Sequence, residues 1–597
     1  MQLSKDISTG LTTSQQLIVL LLLAFGLNFN TLFHEYALDD AVVLTGNTLV
    51  QKGVARIPEI LSHELFYGLE KQESDLSGGR YRPFALIVFA LEVQFFGINP
   101  FVSHLINVLL FVFLIALLFR LLQKYIFREL NPNLAFLTCL LFVVHPIHTE
   151  VIANVKSRDE LIAFILLLLS AFSILRYLKN RKLLSLLPAA FCFFISLLTR
   201  ESAIPFIGIV PLTAYFFYNQ SIKKALLLSI PLFSIFILYM IIRISVVGLS
   251  HSTDRDVLNS PFILATASEA FATKIFLLAR YIGLLFLPYP LTFDYGYNQI
   301  PYIDFGSVSF IFSAILLVAL VIISLLTFKT RSLLSFCILF FFLTLFPFTN
   351  FIMDIGAPLA ERLLFQPSLA FCILFSAYFL NTIPSKKILS FTIFGSVLLL
   401  FSTYTVVRNM DWKNNDTLFF ADVETVPNSV RANLYAAKQY ILKSKKETNK
   451  ALKDEYFKKA IFYDERILQI YPHCKFIYED LGFAYFGLLN YLKAAELWKK
   501  ASILEPSSTS AKKRTQMISD VLYNEGNKFF RSANYAAAIT YYTKSVELNE
   551  NNADAWYNLG GAYFKTKDIK NGLEAWQMVT LLDPGRELKM EQFQGKE

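Results

Sequence analysis

Apolar runs of roughly 20 residues recur along the first 400 positions, the length a helix needs to cross a bilayer core at about 1.5 Å per residue. They predict about eleven membrane-crossing helices, near 15–33, 101–123, 134–150, 159–175, 184–199, 204–218, 225–246, 305–328, 333–349, 365–382 and 388–406. The first run is long for a signal peptide and lacks a small-residue cleavage site, so it reads as a retained span. A further apolar stretch, Ser268 to Leu287, carries Lys274 and Arg280. It reads as an amphipathic helix at the membrane interface.

Near residue 408 the pattern changes. Residues 408–597 hold 28 Lys+Arg and 24 Asp+Glu, against 27 and 22 in the first 407, so charge density roughly doubles. Over the whole 597 residues 55% are hydrophobic and 17% charged, which excludes a purely soluble chain. We therefore expect a membrane domain over 1–407 and a soluble domain over 408–597. The soluble part repeats with a period of about 34 residues, the tetratricopeptide signature. Its clearest copy has Trp556, Leu559, Gly560, Tyr563, Gly572, Trp576 and Pro584. An earlier copy has Leu522, Gly526, Phe529, Ala538 and Tyr542, and another has Tyr478, Leu481, Gly482, Tyr485, Ala494, Trp498, Ala501 and Pro506. A degenerate fourth ends near Pro472. The expected fold is all-α: a polytopic helix bundle followed by a superhelical repeat array, whose concave surface suits a peptide or protein partner.

The net charge of +9 divides as +5 and +4, so neither part is a nucleic-acid binder. Cys139, Cys192, Cys337 and Cys372 lie in apolar runs and Cys474 is isolated, so no disulfide framework or zinc site is implied. Basic loops at Lys124/Arg128, Arg176–Lys182, Lys223/Lys224, Lys329/Arg331 and Lys386/Lys387 alternate along the chain. The positive-inside rule puts them, with the N-terminus, on the cytoplasmic side and the repeats outside.

The remaining ionisable groups then gather at the outer face. Asp39 and Asp40 follow the first span. His145, His148 and Glu150 close the third, in VVHPIHTE, and Lys156, Arg158, Asp159 and Glu160 open the fourth. Arg200 and Glu201 separate the fifth and sixth, while Asp354, Glu361 and Arg362 precede the tenth. Polar groups at one interface, rather than at mid-span, suit chemistry on a lipid headgroup better than transport. An aspartate can accept a proton from a hydroxyl, and Arg or His can hold a phosphate. A sugar on a lipid phosphate already has a good leaving group, so one base and a cationic clamp suffice. Each group also has a structural reading: the Asp pair as a helix cap, the histidines bonded to carbonyls, Arg158 as a headgroup anchor, and Arg200–Glu201 and Glu361–Arg362 as ion pairs. Glu92 and His104 read as polar points on helices.

The ordered set of an Asp pair, YRP, GINPFVSHLINVLL, HPIHTEVIANVKSRDEL, LLTRES, PYPLTFDYGYNQIP and APLAERLLFQPSLAF, followed by the repeats, resembles the transmembrane and tetratricopeptide-repeat protein O-mannosyltransferases. The resemblance implies a GT-C fold. It also implies inverting transfer of mannose from a polyprenyl-phosphate donor to Ser/Thr hydroxyls on the extracytoplasmic face, independent of a divalent metal. Asp39 would be the base, supported by Asp40. Arg82, His145, His148, Arg158, Arg200 and Arg362 form the expected phosphate-binding set, supported by Tyr81, Glu150, Asp159, Glu160, Glu201 and Glu361. Acceptor proteins would be held by the repeats, with no nucleic acid involved. The short array favours a bacterial relative, whose outer face is the periplasm; in a eukaryote it is the ER lumen. Two alternatives stay open: a glycosyltransferase acting on a lipid or envelope glycan, and a non-catalytic scaffold.

Overall fold

Proline and asparagine set many of the helix boundaries. The computed structural model describes residues 10–69, 79–131, 133–248, 256–352, 354–474, 476–506 and 508–588, with backbone alone for 383–387. The long loop before Tyr81 (70–78) and the side chains of Lys386 and Lys387 lie outside the described residues. Among those described the fold is all-α, with a single isolated bridge between Asn47 and Leu69. Two compact units divide the chain at Ser429/Val430.

The first unit contains α1 (Thr13–Leu27), α2 (Pro83–Phe96), α3 (Pro100–Leu121), α4 (Leu134–Val144), α5 (Arg158–Asn180), α6 (Leu186–Thr199) and α7 (Phe206–Phe217). It continues through α8 (Ile222–Leu227), α9 (Ser229–Val247), α10 (Ala267–Phe286), α11 (Val308–Phe328), α12 (Leu333–Leu345), α13 (Ser368–Asp411) and α14 (Asn415–Thr425). All eleven predicted runs are helical. Six helices are individually long and apolar enough to cross a membrane: Thr13–Phe33, Pro100–Ile126, Val155–Asn180, Ile222–Val247, Val308–Phe328 and Ile388–Asp411. A bent pair, Leu134–Val144 with Pro146–Ala153, makes a seventh, and the other predicted runs are shorter apolar helices. This is a multi-pass membrane bundle.

Two departures from straight helices matter. Pro146 has no N–H and forces the preceding residue out of the helical region. His145 accordingly has ψ 119°, and the chain bends by 59° there. The connector that follows, through Ser157, is buried throughout. Helix α13 is helical along its length but folds back on itself. Phe379 stacks on Phe394 at 4.3 Å, and the His145 ring meets both Phe371 and Phe401, at 5.7 and 4.8 Å. A straight helix would hold Phe371 and Phe401 roughly 45 Å apart. The runs 365–382 and 388–406 are therefore two antiparallel arms. Helix α10 buries Ala272, Thr273, Leu277, Tyr281, Leu284 and Leu285, one stripe at helical spacing.

The bundle has two chemically different ends. At one, Tyr218 Oη donates to the Tyr125 carbonyl at 3.0 Å and Arg331 Nη2 donates to the Gln220 carbonyl at 3.3 Å, drawing the basic loops together. At the other are Asp39, Arg82, Lys156, Arg200 and Arg362.

The first unit extends past the last span because α14 returns to it. Arg408 donates to both oxygens of Asp422, at 2.6 and 2.9 Å, and the Phe293 N–H donates to the same carboxylate at 2.6 Å. Ser429 Oγ donates to Asp294 at 2.6 Å.

Among its described residues the second unit has four helix pairs: α15 (Val430–Lys446) with α16 (Lys450–Ile470), α17 (Ile477–Gly487) with α18 (Tyr491–Leu504), α19 (Thr509–Arg531) with α20 (Tyr535–Leu548), and α21 (Ala553–Lys565) with α22 (Ile569–Leu582). The repeat consensus has a local cause. Trp498 covers Gly482, and Trp576 covers Gly560, so closely that a Cβ on either glycine would lie 2.4 or 2.3 Å from the ring. Each indole N–H donates 3.0 Å to a carbonyl in the facing helix, Glu479 or Tyr557. Gly560→Ala is expected to cost about 2 kcal/mol, because the buried ring has to shift. Hydrogen exchange on the full-length protein should show faster opening in α21 and α22.

Candidate functional site

The centre of the site is the junction between the segment after α1 and the connector before α5. Asp40 is buried and accepts two backbone N–H groups: Ala37 to Oδ2 at 3.0 Å and Lys156 to Oδ1 at 2.7 Å. Burial raises its pKa to about 7 despite those bonds. Asp39 stands at the N-cap position of the turn Asp40–Val43, makes no side-chain cap bond there, and keeps 42% of its side chain exposed. The Nζ of Lys156 lies 3.4 Å from Asp39 Oδ2. A single residue thus ties both aspartates, Asp40 by its backbone and Asp39 by its ammonium.

Arg362 lies within electrostatic reach of Asp39, and the exposed parts of these two side chains mark the opening of the site. Its backbone N–H donates to Glu150 Oε2 at 3.0 Å and its Nη1 pairs with Oε1 at 2.5 Å. Its side chain is 23% exposed, and Nε and Nη2 make no further hydrogen bond among the described residues. Asp39 and Glu150 both hold this guanidinium in its charged form, with a raised pKa. Arg80, just after the long loop, feels Asp39, Arg82, Glu201 and Arg362 electrostatically; burial lowers its pKa to about 10.

Behind the opening lies a buried ionic layer. Arg82 Nη1 donates to Asp159 at 2.8 Å and its Nε to Glu201 at 2.8 Å. Arg200 pairs with Asp159 and Glu160, both at 2.6 Å. Glu160 also accepts from Ser202 at 3.0 Å and from Gln366 at 2.8 Å. This lattice holds the starts of α2 and α5 and the α6–α7 junction in fixed register, and it encloses the charges of Arg82 and Arg200.

Other expected site residues are buried and engaged elsewhere. Arg158 is 1% exposed. It pairs with Glu92, donates to Asn107 Oδ1 at 2.7 Å and the Ser103 carbonyl at 2.9 Å, and lies over the Phe89 ring at 4.5 Å. His145 Nε2 donates to the Leu285 carbonyl at 3.0 Å, and its Nδ1 accepts the Ile147 N–H at 3.3 Å. His148 Nδ1 donates to the Phe142 carbonyl at 2.8 Å, and its Nε2 lies 2.8 Å from Ser368 Oγ. Tyr81 Oη donates to the Leu61 carbonyl at 2.7 Å. These four side chains hold neighbouring segments and are buried.

Neighbours in sequence also part company. Glu361 faces away from Arg362, accepting from the Thr292 N–H and from Tyr295 Oη at 2.9 Å; burial raises its pKa to about 8. Arg200 and Glu201 pair with different partners. Asp354 is exposed. Glu92 stands out as a polar point only on inspection of its neighbours: a carboxylate inside the apolar PFALIVFALEVQFF helix requires a buried partner, and that partner is Arg158. Arg408 with Asp422, and Asp294 with Ser429, carried no local signal at all.

These features define a multi-pass helical membrane protein carrying tetratricopeptide repeats, with an acid–base cluster at one end of its bundle. The TPR repeat family model matches residues 526–567. The chain is homologous over most of its length to the transmembrane and tetratricopeptide-repeat protein O-mannosyltransferases, as the motifs indicated. It is 26% identical to human "Protein O-mannosyl-transferase TMTC1", covering 75% of this chain and 54% of that protein. It is 25% identical to human "Protein O-mannosyl-transferase TMTC3", covering 92% and 65%. A Caenorhabditis elegans relative, "Protein O-mannosyl-transferase F38B6.6", is 24% identical over 70% of this chain and 59% of its own. The chain thus spans between about half and two thirds of the length of these relatives.

Proposed function

We propose that the bundle is an inverting glycosyltransferase that moves mannose from a polyprenyl-phosphate donor to Ser or Thr hydroxyls of proteins. The observation that carries this reading is the half-exposed Asp39 carboxylate, held beside Lys156 and within electrostatic reach of Arg362, with its neighbour Asp40 locked in place. Asp39 takes the proton of the acceptor hydroxyl as that oxygen attacks the anomeric carbon. The bond from that carbon to the phosphate oxygen breaks, and its electron pair leaves with the polyprenyl phosphate. Lys156 and Arg362 stabilise the charge growing on the leaving phosphate, with Arg80 close enough to add to the field. Of the expected clamp Arg362 stays, Lys156 joins it beside Asp39, and Arg82, Arg158, Arg200 and the two histidines serve other partners.

An apolar cavity of about 90 Å³ lined by Phe164, Leu168, Phe206, Phe340 and Leu369, with Gln366 at its edge, offers a path for part of the isoprenoid. The positive-inside pattern supports an extracytoplasmic side for Asp39 and for the repeats. The repeat array suits capture of acceptor proteins, and the relatives' names favour protein over lipid or glycan acceptors. With two cations at the phosphate, transfer is proposed to be metal-independent, so a chelator should leave the rate unchanged.

The test is transfer of labelled mannose from polyprenyl-phosphate mannose to a Ser/Thr peptide by the purified full-length protein. Arg362→Gln should lower turnover about 100-fold, the usual effect of losing one transition-state donor. Unaltered turnover in that variant would remove Arg362 from the clamp, and no transfer by the wild type to any Ser/Thr acceptor would overturn the reading.

A further inference from the structure

At the basic end of the bundle a cavity of about 240 Å³ opens between the end of α5, the start of α6, and α8–α9. Its walls are apolar, formed by Ile174, Leu178, Leu186, Ala189, Leu228 and Leu232, while Arg181, Lys224, Gln220 and Tyr177 stand among the lining residues as polar groups. The rim is built. Arg181 caps α5 in the left-handed region at φ +56°, with its N–H bonded to the Tyr177 carbonyl at 2.7 Å. The turn carrying Gln220 is pinned from two sides, by Tyr218 on Tyr125 and by Arg331 on the Gln220 carbonyl.

The charge here is uncompensated. The sequence has no Asp or Glu between Glu160 and Glu201, nor between Glu201 and Asp254. Among the described residues neither Arg181 nor Lys224 has an ion pair or a side-chain hydrogen bond. An apolar cleft between spanning helices with a cationic rim is complementary to an anionic amphiphile: a phosphate at the rim and an acyl chain along the walls. From Lys156 to Arg181 the chain climbs roughly 38 Å of helix, close to the full thickness of a bilayer. The rim is therefore at the headgroup level opposite Asp39.

We infer that this cleft binds an anionic phospholipid of the leaflet facing away from the Asp39 site. The inference does not depend on the transferase reading, since bound lipid is counted without any sugar transfer. The test is native mass spectrometry of the full-length protein, released from a neutral detergent after equilibration with phosphatidylglycerol or phosphatidylcholine. Phosphatidylglycerol should be retained at least about tenfold better than phosphatidylcholine, and the double variant Arg181→Gln/Lys224→Gln should lose that preference. Ala190→Leu, which narrows the cleft and leaves the charge intact, should lower retention of phosphatidylglycerol. Lys182→Gln, which removes a neighbouring charge outside the cleft, should not. An equal loss in Lys182→Gln would mean diffuse surface attraction and overturn the site. So would equal retention of the two lipids, displacement by millimolar inorganic phosphate, or stronger binding of polyprenyl phosphate than of phosphatidylglycerol. If the double variant does not fold, the Ala190→Leu and competition measurements decide.

Discussion

Asp39→Asn is expected to cut sugar transfer by about 10³-fold, the range for losing a general base, with donor binding and thermal stability unchanged. The asparagine has the same shape, and its amide oxygen still accepts from Lys156, 3.4 Å away in the wild type. It cannot take a proton. Asp40→Asn separates the two roles. Both Asp40 oxygens accept backbone N–H groups, from Ala37 and Lys156. An amide there points a donor at one of them, so the segment after α1 loosens and stability falls along with turnover. Single-turnover transfer and a thermal melt on each purified variant check this. Full activity in Asp39→Asn would remove Asp39 from the base role.

Arg158→Met carries the largest expected effect on stability. Arg158 is buried, and its guanidinium serves Glu92, Asn107 and Ser103 while lying over Phe89. Removing it leaves the Glu92 carboxylate buried without a counter-charge and strips the Asn107 amide oxygen of its donor. Breaking a buried pair from one side costs about 3–5 kcal/mol. Replacing both partners with apolar residues, Arg158→Met with Glu92→Leu, should recover much of that loss, because no charge is then stranded. The recovery is measured as the thermal midpoint of the detergent-solubilised protein. If the double variant is no better than the single, the dominant loss lies in Asn107 and Ser103 rather than in Glu92.

The contrast between Arg158 and Arg362 separates what local sequence says from what the fold adds. Both are arginines at the start of a helical segment, on the same predicted face, and nothing nearby in sequence distinguishes them. Arg158 is enclosed because α3 packs on α5 and brings Asn107 and Ser103 against it. Arg362 keeps an open side because Glu150 engages one of its terminal nitrogens. The histidines follow the same logic. Pro146 announces the bend, but only packing of both arms of α13 against the connector turns His145 and His148 into internal ties.

By itself, the sequence determined the elements whose cause is local or periodic. Twenty-residue apolar runs cannot leave their backbone groups unpaired in lipid, so they form helices. A glycine facing an aromatic one helix away, as in Gly560 with Trp576, writes the repeat into the chain directly. The acid pair, and the separation of acidic from basic loops, were legible for the same reason. The tertiary structure decided which charges are spent. A buried charge must find a partner, and here partners lie as far as 212 positions away, as in Arg362 with Glu150, while Asp159 is 41 from Arg200. Those pairings enclose Arg82, Arg158 and Arg200 and leave Asp39 and Arg362 partly exposed, with Lys156 against Asp39, because long-range packing, not residue type, sets how accessible each charge remains.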